Sequence, residues 1–240
     1  MTTTAIIPAR WGSTRFPGKP LAKIAGKPMI AHVWDRAMEA DGIDAVIVAT
    51  DDERIAMAVE DFGGRVEMTR ADHESGSDRL AEVTARIDAE VILNIQGDEP
   101  LVRPADLARL AKLMHDEPEV EVASLCHPIS AEQANNTNRV KVVRSASGDA
   151  LYFSRAVIPH PRETGHARYL QHAGIYAYRR AALLSFPALP VPAEERAECL
   201  EQLRFLAAGI PIRLIETEEG APGVDTQEDI AEIERRMAAS

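Results

Sequence analysis

The sequence predicts an α/β fold with a mostly parallel sheet and an antiparallel hairpin insertion. Three observations predict it. Short runs at Thr4–Pro8, Asp44–Thr50 and Glu90–Gln96 are near-continuously apolar, as strands covered on both faces are. Segments with apolar residues at helical spacing alternate with them, at Met29–Ala40, Asp52–Phe62 and Pro104–Asp116. The first run also opens directly into a loop rich in Pro, Gly, Arg and Lys, and open α/β sheets bind ligands at the carboxyl ends of their strands.

Each element follows from local chemistry. Pro28 opens a helix whose stripe is Met29, Ile30, Val33, Trp34, Ala37 and Met38. Gly63-Gly64 closes the next helix at a left-handed cap, and Arg65–Thr69 is a short strand. Ser75 and Asp78 are spaced as a capping box for a helix running to Ala89. Gly97-Asp-Glu-Pro100 stops the strand before it, and Val120–His127 is strand-like. The pattern then changes. Val140–Arg144 and Ala150–Ser154 flank Ser-Ala-Ser-Gly-Asp, a hairpin with a Gly turn, and Tyr169–Tyr178 reads as a further strand of the insertion. Glu194–Ala208 is a helix, Ile212–Thr217 a strand and Thr226–Ala239 a final amphipathic helix.

With 240 residues and 45% hydrophobic content, the chain can bury a full core, and residues 1–240 read as one domain with an insertion or dimerisation subregion at 139–178. The net charge of −11 argues against a protein that coats nucleic acid or a membrane surface. Cys126 and Cys199 share no metal-ligand spacing and read as ordinary thiols. No apolar run approaches the roughly 18 residues of a membrane span, and Ala5-Ile-Ile7 is too short for a signal peptide. The expectation is a soluble, cytoplasmic protein.

Charge is unevenly placed. Residues 1–34 hold five basic side chains and no acidic one, so the remainder must hold −16 for the chain to total −11. Arg10, Arg15 and Lys19 fall within ten residues of Pro8-Ala-Arg-Trp-Gly-Ser-Thr-Arg-Phe-Pro-Gly-Lys19. The loop is not a P-loop: five residues separate Gly12 from Gly18 instead of four, and Pro20 follows Lys19 where Ser or Thr is needed. Its chemistry still suits a triphosphate, since each charge-assisted hydrogen bond contributes about 1.5–3 kcal/mol. The plainer alternative is a solvated loop whose cations pair with surface carboxylates.

Asp98 follows the strand ending at Gln96 and shares its rim with the basic loop. Asp225 is ambiguous. By itself Asp225 or Thr226 reads as the N-cap of the last helix, with Glu228 or Asp229 completing a capping box, but two carboxylates beside a triphosphate are what Mg²⁺ requires. His172 and Tyr176 share a strand face by the two-residue period, which favours a structural role. Glu201 and Gln202 sit opposite Leu200, Leu203 and Leu206 on the expected helix and read as a solvated pair. Arg155 carries no distinctive signal of its own.

Ile7-Pro-Ala-Arg-Trp-Gly-Ser-Thr-Arg-Phe-Pro-Gly-Lys-Pro-Leu21, Ala49-Thr-Asp-Asp52, Thr69-Arg-Ala-Asp-His-Glu-Ser-Gly-Ser-Asp-Arg-Leu80 and Asn94-Ile-Gln-Gly-Asp-Glu-Pro100 resemble the 3-deoxy-manno-octulosonate cytidylyltransferase family. So do Val140-Lys-Val-Val143, Ala150-Leu-Tyr-Phe-Ser-Arg-Ala156, His172-Ala-Gly-Ile-Tyr176, Leu200-Glu-Gln-Leu-Arg204 and Gly223-Val-Asp-Thr226. The resemblance implies a Rossmann-like three-layer sandwich of the nucleotide-diphospho-sugar transferase type. It implies CMP transfer from CTP to an eight-carbon acidic sugar (3-deoxy-D-manno-octulosonate, Kdo), with Mg²⁺, in a homodimer serving lipopolysaccharide assembly.

By motif, Arg10, Ser13, Arg15 and Lys19 are implied to hold the triphosphate. The strand end near Thr50 and the segment Ser75–Arg79, with Ser75, Gly76 and Arg79, are implied to cradle the nucleoside. Asp98 and Asp225 are the implied metal ligands, and Arg10, Lys19, Asp98 and Asp225 the implied catalytic set. Gln96, Arg155, His172, Tyr176, Glu201 and Gln202 are implied to line the sugar pocket. Two departures from the family pattern touch loop details: Thr137 ahead of Asn138 where the family usually has Pro, and Ser77-Asp78 in place of Thr-Glu. The nearest alternative is the same reaction on an amino-substituted octulosonate or a sialic acid. A non-catalytic nucleotide-binding protein fits less well because both Asp98 and Asp225 are present. A metal-dependent glycosyltransferase fits less well because Gly97-Asp-Glu-Pro100 is not Asp-x-Asp.

Overall fold

The computed structural model describes residues 1–12, 16–73, 75–163 and 165–239. In chain order the strands are β1 (Thr3–Ala9), β2 (Lys23–Ile24), β3 (Lys27–Pro28), β4 (Ala45–Thr50), β5 (Arg65–Met68), β6 (Val91–Asn94), β7 (Val122–Ile129), β8 (Lys141–Arg144), β9 (Ala150–Ser154), β10 (Tyr169–Arg179) and β11 (Ile212–Glu216). The helices are α1 (Met29–Met38), α2 (Glu53–Asp61), α3 (Gly76–Arg86), α4 (Pro104–Asp116), α5 (Ala131–Ala134), α6 (Arg180–Ser185), α7 (Ala193–Glu198), α8 (Leu203–Ala207) and α9 (Gln227–Ala239).

The main sheet runs β11-β7-β10-β6-β1-β4-β5. Its neighbours are parallel except at β10, which runs against both β6 and β7. The expected hairpin forms from β8 and β9, joined to the first residues of β10 through β8. β10 lies on the main path, and the β8–β9 hairpin branches from that path within one nine-stranded sheet.

Alternation along the strands divides the core in two. Ala5, Ile7, Val48, Leu93 and Ile95 face α1, α2 and α4, while Ile6, Ile47 and Ile92 face α3, α6 and α8. Side chains of both strand faces are therefore buried, which explains the near-continuous apolar runs. Helix starts are set by side chains. Asp52 accepts from the Arg54 amide at 3.0 Å, and Ser75 Oγ accepts from the Asp78 amide at 3.1 Å. Met38, expected on the core stripe of α1, is instead 51% exposed at the helix end.

One expected helix is broken. Glu194–Ala208 is two short helices, α7 and α8, with Cys199 between them at φ 51° and ψ 51°. The carbonyls of Glu198 and Cys199, which a continuous helix would pair with amides four residues on, are met by the Arg155 guanidinium at 2.7 and 3.5 Å. Glu201 and Gln202 consequently lie in the turn between the helices, not on a solvated helix face.

The sheet order reverses about β1, with β4 on one side and β6 on the other. That reversal opens a crevice at the carboxyl ends of β1 and β6. Gly97 lets the two loops approach there, because a Cβ on it would lie 3.1 Å from the Pro8 carbonyl oxygen. Among the described residues, no helix is long and apolar enough to cross a membrane.

Candidate active site

A cleft of about 690 Å³ occupies that crevice. At its mouth Lys19 Nζ donates to Asp98 Oδ2 at 2.6 Å and to the Val224 carbonyl at 2.8 Å, and lies 3.8 Å from Asp225 Oδ1. The Val224 amide in turn donates to the Asp98 carbonyl at 2.9 Å. Residues 127 positions apart in sequence are thus joined at one cation. At the start of α9 Asp229 takes the capping-box place that the sequence offered it. Asp229 accepts from the Asp225 and Thr226 amides, both at 2.8 Å, which leaves the Asp225 carboxylate directed toward Lys19. Glu99, beside Asp98, is pushed up to about 8 by burial and by the Asp98 charge, so it adds no second full charge near pH 7.

The basic loop is clasped at both ends. The Gly18 amide donates to the Trp11 carbonyl at 3.0 Å, and Gly18 has φ 72°, with the Trp11 ring where a Cβ would point. Arg54 lies 3.4 Å over the Trp11 ring and donates to both Asp52 oxygens at 2.9 and 2.6 Å. This cation–π contact ties the loop to the start of α2. Arg10 is exposed on the cleft rim. Ser13 and Arg15, expected on the triphosphate, lie outside the described residues.

Ser75, Gly76 and Arg79 line the wall made by the start of α3. Arg79 is committed to protein partners, Asp51 at 3.0 Å and Thr69 Oγ1, and so braces this wall. Thr50 is a correction: it is fully buried, and its hydroxyl accepts from the Asp52 amide at 3.2 Å, so Asp51 lines the cleft in its place.

The deep end is built on β10. Gln96 donates to the Gly174 carbonyl at 3.1 Å and to Asn94 Oδ1 at 3.3 Å. His172 and Tyr176 share one face, as the period implies, with ring centroids 5.2 Å apart, although β10 bulges between Ala173 and Tyr176. Ser124 Oγ donates to the Ile175 carbonyl at 2.7 Å and meets His172 Nε2 at 2.9 Å. Since a hydroxyl has one proton, this arrangement assigns the proton of His172 to Nε2 and leaves Nδ1 an acceptor. Burial, helped by His127, pulls His172 down to about 3, so the ring is neutral in the cleft. Ser77 Oγ donates to Glu201 Oε2 at 2.8 Å, while burial pushes Glu201 above the usual carboxylate range.

Gln202 joins Glu201 in lining this end. Arg155, expected on the sugar, is half-buried beside the turn, with its guanidinium on the carbonyls of Glu198, Cys199 and Thr137. Ser77, within the segment expected at the nucleoside, lines the cleft too, and so do Asp51, His73, Asn94 and Tyr178, which were not singled out. A signal existed for two of them: Asn94 is a polar residue inside an apolar run, and Tyr178 continues the two-residue period of His172 and Tyr176.

The cytidylyltransferase family model matches residues 4–216. The chain belongs to the cytidylyltransferase family. It is 52% identical to the 3-deoxy-manno-octulosonate cytidylyltransferase of Escherichia coli over 233 residues, 97% of this chain and 95% of that one. It is 47% identical to the 8-amino-3,8-dideoxy-manno-octulosonate cytidylyltransferase of Shewanella halifaxensis (strain HAW-EB4), covering 99% of each. A solved CMP:2-keto-3-deoxy-manno-octonic acid synthetase in complex with CTP superposes with a TM-score of 0.98 at 51% identity, covering 100% of this chain and 99% of that one.

Proposed function

We propose that the chain transfers CMP from CTP to the anomeric hydroxyl of Kdo, giving CMP-Kdo and pyrophosphate and activating the sugar for lipopolysaccharide assembly. The observation that carries the reading is the meeting of Asp98, Asp225 and Lys19 at the mouth of a cleft whose far end is largely buried and rich in hydrogen-bonding groups. Arg10 and Lys19 supply positive charge for the triphosphate, with Ser13 and Arg15 assigned by motif alone. The α3 start and Asp51 frame the nucleoside. Gln96, His172, Tyr176, Glu201 and Gln202 offer the donors and acceptors that a polyhydroxylated acid needs.

In the reaction the sugar hydroxyl oxygen bonds to the α-phosphorus while the bond to pyrophosphate breaks. Charge develops on the phosphate oxygens, and fixed cations there lower the barrier chiefly by position and electrostatics. Asp98 and Asp225 fit a divalent cation: the donors are hard oxygens, they already converge on one positive atom, and Mg²⁺ commonly uses one or two carboxylates with phosphate oxygens. When bound, Mg²⁺ supplies Lewis acidity toward the phosphates and the attacking hydroxyl.

The homodimer is part of this reading. Leu151, 61% exposed on β9, places an apolar side chain on the outer hairpin, and sedimentation of wild type and Leu151→Asp tests it. The function is tested by pyrophosphate release from CTP and Mg²⁺ with a panel of acidic sugars. Release with Kdo, and none after chelation, is expected. Release only with the 8-amino analogue reassigns the sugar, and no release with any sugar contradicts the reading.

A further inference from the structure

The chain that leaves β5 forms part of the cleft wall, yet β5 is the end strand of the sheet among the described residues. The Thr69 amide still donates to the Thr50 carbonyl at 2.8 Å. From there one face of α3 takes over, through Arg79, Glu82 and Arg86, which are spaced three and four residues apart. Arg86 donates to the Met68 carbonyl at 2.6 Å, and Arg79 donates to Thr69 Oγ1. Glu82 Oε2 accepts from the Arg70 amide at 3.1 Å and from His73 Nε2. A carboxylate only accepts, so the proton shared with His73 belongs to the ring.

Glu82 differs from the two arginines in what it holds. Met68 and Thr69 end or adjoin β5, which the sheet already fixes. Arg70 and His73 instead flank Ala71, which is exposed and lines the cleft together with His73. The other Glu82 oxygen, Oε1, accepts from Arg86, so three donors meet on one carboxylate. Burial raises the Glu82 carboxyl, but the hydrogen bonds of His73 and Arg70 and the Arg86 charge outweigh it and hold the group below the usual carboxylate range. Glu82 itself does not line the cleft. The short side chain of Ala71 leaves its backbone open to a ligand, and backbone groups read the edge of a base well only when they are fixed before it arrives.

We propose that Glu82 is a positioning residue for the nucleoside of CTP, acting through Arg70 and His73 to fix the wall around Ala71. The inference rests on the reading that this wall and the start of α3 hold the nucleoside. The same helix also serves the sugar end, because Ser77 donates to Glu201 Oε2 at 2.8 Å. A general loosening of α3 therefore reaches both substrates, whereas loss of the Glu82 contacts falls on CTP and spares the sugar.

The test uses the full chain with Glu82→Ala, Glu82→Gln and Gly76→Val. It reads the CTP Kd by calorimetry with Mg²⁺, the sugar KM at saturating CTP by pyrophosphate release, and Tm. Glu82→Ala should raise the CTP Kd about tenfold and leave the sugar KM within about twofold of wild type. Glu82→Gln can keep its oxygen on the Arg70 amide and His73 and lose only Arg86, so a smaller rise of about threefold is expected. A Cβ at Gly76 meets no atom within 4 Å, so Gly76→Val can fold while crowding the wall, and it should raise the CTP Kd at least about tenfold. An unchanged CTP Kd in Glu82→Ala, with Gly76→Val still raising it, overturns the role of Glu82 alone. An unchanged CTP Kd in Gly76→Val overturns the reading beneath it. Equal losses in Glu82→Gln and Glu82→Ala mark an effect of charge and not of position, and overturn the proposal. So do matched losses of CTP and sugar affinity with a lowered Tm, the pattern of a general structural role.

Discussion

The two ends of the cleft solve different problems with different parts. At the mouth, charged side chains on loops converge: Lys19 is 14% exposed, Asp98 35% and Asp225 57%, and backbone contacts of Val224 gather them. At the deep end, the donors and acceptors are nearly all buried, and they project from β10, α3 and the turn between α7 and α8. The contrast fits the chemistry assigned to each. A triphosphate needs charge and tolerates water, whereas a sugar is distinguished by hydrogen bonds whose positions must be fixed before it arrives.

Breaking the mouth should have the largest effect. Asp98→Ala is expected to lower kcat by at least about a hundredfold, roughly 2.7 kcal/mol of barrier, with Tm little changed. Normal pyrophosphate release in that variant would remove Asp98 from the metal assignment. Lys19→Ala should weaken CTP binding and lower kcat together, because it removes charge felt in both ground and transition states. Calorimetry with single-turnover kinetics checks the pair.

The deep end should respond separately. Gln202→Ala is expected to raise the sugar KM about tenfold with CTP affinity unaltered, the pattern of a lost polar partner in a buried pocket. His172 adds a pH signature. Folded, it takes a proton only near pH 3, whereas an unfolded histidine does so near 6.5. Protons therefore favour the unfolded chain between those values. This contribution to stability is present above about pH 6.5 and is lost as pH falls, by up to about 1.4 kcal/mol per pH unit. Urea unfolding at several pH values should show that slope, and a His172→Asn variant with the same slope would contradict it.

The smallest expected effect lies at the loop clasp. Arg54→Ala removes the contact over Trp11 and should raise the KM for CTP roughly two- to fivefold without changing that for the sugar. A change confined to the sugar would break the separation between the two ends.

The same division governs what could be read from sequence. Strand and helix order was legible because burial on both faces writes itself as continuous apolar runs, and helix α4 was bounded correctly at both ends. The mouth was legible because Arg10 and Lys19 stand in a stretch without acidic residues, followed by Asp98 at a strand end. Asp225 was ambiguous because a helix-capping position and a site position look alike in sequence, and Asp229 resolved it only in three dimensions. The deep end was largely hidden. Nothing in Glu194–Ala208 signals a break, and the carbonyls freed there are met by Arg155, which follows a strand distant in sequence. Thr50 and Asp51 are adjacent in sequence, and only the strand's exit decides which of them meets the cleft.

The central claim is that two independent half-sites share one cleft, and calorimetric titration of CTP with Mg²⁺ into Lys19→Ala and Glu201→Ala tests it most directly. The account predicts at least about a tenfold loss of CTP affinity in Lys19→Ala and a value within about twofold of wild type in Glu201→Ala. Equal losses in the two variants would contradict it.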